Sequence, residues 1–276
     1  MIKNKKVLIM EIIDAHAHIY PEKIAEKATF AIGDFYGIKM RTDKGTAERL
    51  IEAGKKAGVS RYIVHSCATK AKQVRAINEF IKEEKSLHPE FLGFMTLHQD
   101  LTENEIYDEL VWCKENGFYG IKMHPDFQQF YIDGVEADKI YRVLRDSKIN
   151  FPILFHTGDN RYEFSKPFRL ADVAKRYPAL NFIGAHFGGY RCWDQVDVYK
   201  GLENVFFDTS SSLPFISPEQ AKKMIDEFGA DRFFFGDDFP MWNIEEEIAR
   251  FEKIRLTERE REMIYSLNVK NLLGIK

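Results

Sequence analysis

Apolar residues in this chain fall into short, nearly continuous runs, and between the runs the apolar positions recur at helical spacing. The runs are Ile12–His18, then 61–67, 91–98, 119–124, 151–156, 180–186, 205–209 and 232–236. Continuous Val/Ile/Leu/Phe runs of this length suit parallel strands buried on both faces. The intervening segments predict helices over 46–57, 71–85, 102–116, 136–147, 168–177, 193–200 (the weakest) and 218–228, with two closing helices over 245–254 and 257–273. Thr102 is placed to cap its helix, and Gly58 and Gly117 to stop theirs. After the first strand a helix is predicted only to about Thr29. The stretch 33–44 has no clear period and reads as an irregular insertion, either a lid over the strand ends or a surface connection. Eight strand–helix units in one chain of 276 residues predict a single-domain (β/α)8 TIM barrel. An open doubly wound sheet is the alternative, and the absence of a GxGxxG after the first strand removes one reason to prefer it.

Composition narrows the function classes. Hydrophobic residues make up 45% of the chain, enough for a sizeable core. With 40 basic and 43 acidic residues the net charge is −3, so no nucleic acid or anionic membrane is expected as a partner. The three cysteines, Cys67, Cys113 and Cys192, show no CxxC spacing, which argues against a disulfide framework and fits a reducing cytoplasm. Lys3, Lys5 and Lys6 precede the apolar Val7-Leu8-Ile9-Met10, but Glu11 and Asp14 break the run. It reads as an extension of the first strand, not as a targeting segment. The expected partner is a small-molecule substrate, with assembly into a homo-oligomer left open.

The histidines carry the chemistry. Of eight, only His88 falls outside a strand end. His16 and His18 end the first strand, His65 and His98 lie at the ends of the second and third, and His124, His156 and His186 end the fourth to sixth. Residues i and i+2 of a strand share a face at roughly 6.6 Å, so His16 and His18 can converge on one ion. Barrel active sites lie at the carboxyl ends of the strands, where Asp237 and Asp238 follow the eighth. Histidines with a carboxylate and no thiolate suit one divalent ion, zinc first, with manganese, iron or nickel as alternatives. A water on that ion and a carboxylate to take its proton make hydrolysis the natural reaction. Lys122 and His124 share a strand face. Lys122 is a candidate to bind an anionic substrate, to carry a metal-bridging carbamate, or to form a structural ion pair. Arg161 and Arg191 follow strand ends and are candidates to clamp a carboxylate. Asp208 is read as orienting His186 or capping the next turn.

The segments Asp14-Ala15-His16-Ala17-His18, Gly120-Ile121-Lys122-Met123-His124-Pro125, His156-Thr157-Gly158, Ala185-His186-Phe187-Gly188-Gly189, Asp208-Thr209-Ser210, Gly236-Asp237-Asp238-Phe239-Pro240 and 268–274 together resemble the amidohydrolase superfamily, in particular its amidohydrolase-2 branch of metal-dependent hydrolases and decarboxylases. The resemblance runs through nearly the whole chain. It implies that His16, His18, His156 and Asp238 hold one ion, with Asp238 also the base, and that His186 assists the water or substrate. Asp237 stands where the branch usually has Ser or Thr, and the Lys-x-His-Pro setting favours one metal over two. The expectation is a hydrolase of an amide, ester or lactone. A non-oxidative decarboxylase of an aromatic or unsaturated acid is the alternative, and an inactive metal-binding module comes third.

Overall fold

The computed structural model describes residues 10–40 and 44–276. The lysines and most of the apolar run ahead of the first strand, and part of the irregular insertion, lie outside the described residues. All eight predicted strands form: β1 (Ile12–His18), β2 (Val59–His65), β3 (Phe91–Thr96), β4 (Gly120–Met123), β5 (Ile153–Phe155), β6 (Phe182–Gly184), β7 (Val205–Asp208) and β8 (Phe233–Phe234). They pair in parallel in the order β1 to β8. The chain leaving β8 then returns to β1: Ala15 N–H donates to Phe235 O at 2.8 Å, Asp238 N–H to His16 O at 2.9 Å, and His18 N–H to Phe239 O at 2.7 Å. This seam makes the sheet a nearly closed (β/α)8 barrel, as predicted, and it sets Asp238 beside the histidines of β1.

Helices alternate with the strands: α1 (Glu22–Tyr36), α2 (Ala47–Ala57), α3 (Val74–Leu87), α4 (Glu103–Glu115), the single turn α5 (Pro125–Gln128), α6 (Val135–Ser147), α7 (Pro167–Arg176), α8 (Pro218–Phe228), α9 (Ile244–Phe251), α10 (Glu258–Glu262) and α11 (Asn268–Leu273). After β6 a 3-10 segment, Trp193–Tyr199, stands where a weak helix was predicted. The π-helical turn Met263–Leu267 joins α10 to α11, and its Ile264 carbonyl accepts from Phe235 N–H at 2.9 Å.

One expectation is corrected. The helix predicted to end near Thr29 runs on to Tyr36, so much of the supposed irregular insertion is helical. Gly33 does not break the helix. It is there for close approach, because a Cβ would lie 2.9 Å from the Ile38 carbonyl oxygen.

Apolar side chains fill two zones. The larger lies between the strands and the surrounding helices. The smaller plugs the lower lumen, with Ile13, Ala15, Ile63, Phe94, Leu154, Ile183 and Phe234 closed off by Val269. Ile13 and Ala15 therefore point inward, and in a regular strand His16 and His18 would point outward. The β1–β2 register shifts between Asp14 and Ala17. This bulge reverses the parity, sending Ala17 to the outer core and both histidines into the lumen. Asp14 supports it by accepting from His16 N–H at 3.0 Å and Asp237 N–H at 3.2 Å.

Candidate metal centre

Three donor atoms meet at the seam. His16 Nε2 and His18 Nε2 are 3.3 Å apart, and each lies 3.4 Å from Asp238 Oδ1. Metal–nitrogen and metal–oxygen bonds of about 2.0–2.2 Å, spread tetrahedrally, separate their donor atoms by about 3.3–3.6 Å. The triangle therefore fits a divalent ion. Its protonation fits too. Asp208 Oδ2 accepts from His16 Nδ1–H at 2.8 Å, which leaves the Nε2 lone pair free to ligate. Burial alone would raise the pKa of Asp238, but His16, His18 and His186 around it hold the carboxyl well below the usual range. Ser211 Oγ and the Trp242 indole beyond it fix its second oxygen. Gly236 admits the close packing here, since a Cβ would lie 3.0 Å from that of His16. Asp238 itself sits at φ 65°, as His186 does at 62°, backbone conformations that cost on the order of 1 kcal/mol each.

His186 is fixed by Ser210. Its Nδ1 lies 3.1 Å from the Ser210 carbonyl oxygen and 2.9 Å from Ser210 Oγ. The carbonyl can only accept, so Nδ1 carries the proton and Nε2 is bare. That Nε2 faces His156 Nδ1 at 3.0 Å. Burial lowers the pKa of His186 to about 4, so it is neutral near pH 7. His156 turns its Nε2 toward Asp126 Oδ2 at 3.4 Å and its ring lines the same pocket. The rings of Phe127, His124 and His156 form a parallel stack, with centroid spacings of 3.7 and 4.1 Å.

The structure thus brings His16, His18, Lys122, His124, His156, His186 and Asp238 to one pocket, together with Tyr36, Ile32, Phe127, Pro240 and Met241. Lys122 is fully buried, with Nζ 2.9 Å from His16 Nε2, and burial lowers its pKa. The two arginines are not brought in. Arg161 pairs with Asp159 at 2.7 Å and donates to the Phe35 carbonyl, holding the end of α1. Arg191 is exposed, its guanidinium 3.4 Å from the centre of the Phe215 ring. Asp237 does not line the pocket either. It pairs with Asp14 beneath the seam, and burial followed by the Asp14 charge pushes its carboxyl well above the usual range. The side chain of Asp208 holds the His16 ring, and of His186 it meets the backbone N–H, not the ring; Ser210 N–H and Oγ–H donate to the same oxygen. His65 packs edge-on against His18 at 4.4 Å, and His98 accepts from Asp100 N–H in its own turn.

Tyr36 was not foreseen as a site residue. Phe127 N–H donates to His124 Nδ1 at 3.3 Å, so His124 Nε2–H donates to Tyr36 Oη at 2.9 Å. The hydroxyl also lies 3.4 Å from His156 Nδ1. It closes the pocket from above, and about 20 Å³ of free volume remains over the donors, room for about one water molecule. Only the suspicion of a lid in this stretch hinted at it.

An Amidohydrolase family model matches residues 13–275: the chain belongs to the amidohydrolase family. No curated protein matches its sequence. Among solved structures it is similar to 5-carboxyvanillate decarboxylase from Sphingomonas paucimobilis, with a TM-score of 0.74 and 13% identity over 97% of this chain and 100% of that one. It is similar to a dihydroxybenzoic acid decarboxylase from a Polaromonas species, solved with manganese and the inhibitor 2-nitroresorcinol (TM-score 0.70, 18% identity, 96% and 97% covered). It is also similar to 2,6-dihydroxybenzoate decarboxylase from Rhizobium (0.69, 20%, 96% and 99%). At these identities the likeness establishes the barrel fold. No helix among the described residues is long and apolar enough to cross a membrane.

Proposed function

We propose that this protein is a metal-dependent, non-oxidative decarboxylase of a hydroxylated aromatic or similarly unsaturated carboxylic acid. The observation that carries the reading is the closed, ring-walled volume over the donor triangle. Decarboxylation needs only a proton, and a dry site favours loss of a carboxylate whose charge disperses as carbon dioxide leaves. The decarboxylase neighbours support the choice over hydrolysis.

His16, His18 and Asp238 would hold the ion, with His156 as the fourth candidate ligand. Zinc suits this set, and manganese, found in the Polaromonas relative, is its rival. When bound, the ion supplies positive charge to orient the substrate's anionic oxygens. Lys122, the one lysine or arginine among the described residues that line the pocket, meets the same negative charge. The rings of Tyr36 and Phe127 hold a planar substrate. His186 Nε2, bare in the resting site, takes up a proton from solvent and passes it to the carbon bearing the carboxylate. The bond from that carbon to the carboxyl carbon then breaks, its electron pair returns to the ring, and carbon dioxide departs.

The test is a panel of hydroxybenzoates against matched esters, lactones and anilides, with zinc- and manganese-loaded protein. Carbon dioxide release from a hydroxybenzoate is the expected result. Turnover of an ester, lactone or anilide with no carbon dioxide from any acid would return the assignment to hydrolysis.

A further inference from the structure

We infer that the apolar chamber between α1 and α3 is a substrate subsite that takes a bulky, uncharged apolar body attached to the reacting acid. The inference rests on the metal pocket being the reacting site, and it specifies the substrate class that pocket serves.

The metal pocket alone cannot house a substrate. Beside it lies a chamber of about 460 Å³, within the range of about 300–1,000 Å³ typical of small-molecule sites. The two share His18, Ile32 and Phe127 as lining residues, so the inner end of the chamber is the wall of the metal pocket. α1 presents Ile24, Ala28 and Phe35 to the chamber, and α3 presents Ala76, Ile77 and Phe80. Each set recurs at helical spacing. Such stripes normally bury against a neighbour, yet here they face each other across open volume, and Ile24 remains 45% exposed. Among the described residues the lining contains no Lys, Arg, Asp or Glu, so none of them would compensate a charged ligand. Ser66, Cys67, Thr69 and Gln73 add an uncharged polar edge. The outer end of the chamber, where Ile24 lies, is open to solvent. A chamber that ends at a metal ligand suits the tail of the molecule being processed.

The test uses 2-hydroxybenzoates bearing a 4-alkyl chain from methyl to hexyl, and the matching 4-alkylphenols, titrated calorimetrically into metal-loaded protein. Each buried methylene should tighten binding about three- to fourfold, by similar factors in both series. Ala76→Trp, which fills the chamber, should flatten this dependence. Phe80→Ala, which widens it, should extend the dependence to longer chains and covers the case in which the tryptophan variant does not fold. Binding that ignores chain length in the wild type overturns the inference. So does a dependence that both variants leave unchanged, or a chain-length effect confined to a dimer formed across this face. These results are read from affinity alone, so they stand whether or not carbon dioxide is released, and the absence of carbon dioxide would remove the decarboxylase reading by itself.

Discussion

Replacing Asp208 with Asn tests the metal centre through a residue that does not face the pocket. Its Oδ2 accepts from His16 Nδ1–H at 2.8 Å, and its Oδ1 accepts from His186 N–H at 3.0 Å and Ser210 N–H at 3.1 Å. An amide has one acceptor oxygen. If that oxygen keeps the two backbone donors, the amide NH₂ faces His16 Nδ1. The imidazole must then accept there and carry its proton on Nε2, the atom needed by the ion. If the amide is turned over, the NH₂ meets the two backbone N–H groups instead. The ligating form of His16 is then kept only with the amide turned over, at the cost of setting its NH₂ against those two N–H groups, and metal affinity should fall about 10- to 100-fold, or roughly 1.4–2.7 kcal/mol. Stability changes as well. Burial would raise Asp208, but the charge and hydrogen bond of His16 outweigh it and bring the pKa from 3.8 to about 2. A depressed carboxyl contributes stability above its unfolded pKa and loses it as pH falls through the folded one. The wild type therefore holds about 2 kcal/mol near neutral pH, lost between about pH 4 and 2, and the Asn variant lacks it. The assays are competition with a chelator of known affinity, and denaturant melts of the metal-free protein. A variant that binds metal as tightly as the wild type would refute the proposed control of the His16 tautomer.

Other outcomes follow from the same geometry. Asp238→Asn should lower turnover by about 10²–10⁴ with little loss of secondary structure by circular dichroism, and near-normal turnover would remove Asp238 from the centre. Tyr36→Phe leaves His124 Nε2 without its partner, so the melting temperature should fall by the equivalent of about 1–3 kcal/mol; an unchanged melt contradicts the hydrogen bond. Burial depresses both His18 and His186 from 6.5 to about 4. Groups depressed in this way stabilise the fold above pH 6.5, so metal-free protein should lose stability as pH falls from 6.5 toward 4. A flat profile there would count against their burial as neutral rings. Arg161→Ala, which frees the end of α1, should raise KM more than it lowers kcat, and steady-state kinetics with a responsive hydroxybenzoate would show it.

The barrel was legible because each strand is buried on both faces and so reads as an unbroken apolar run. The convergence of the histidines was legible because parallel strands end on one rim. What stayed hidden depends on contacts between distant segments. The bulge at Asp14–Ala17 shows only in the pairing with β2, although the pair spacing of His16 and His18 survives it. The two aspartates after β8 differ only in facing: Asp238 turns to the imidazoles and Asp237 to Asp14. Arg161 and Arg191 sit after strand ends as expected, yet ring stacking and Asp159 hold them at the rim. Tyr36 enters the site because Gly33 lets α1 continue past the point where its sequence pattern fades.

The seam between β1 and the chain after β8 also orders events during synthesis. His18 leaves the ribosome 220 residues before Asp238, roughly 10–45 s earlier at ordinary elongation rates. Through that interval the nascent chain carries imidazoles without their carboxylate, and a barrel open along one side. An ion captured then would lack the donor that completes the triangle. Tight capture of an ion by this triangle would therefore report that the last strand has docked on the first, and the centre would act as a latch fastened only once the cylinder is whole.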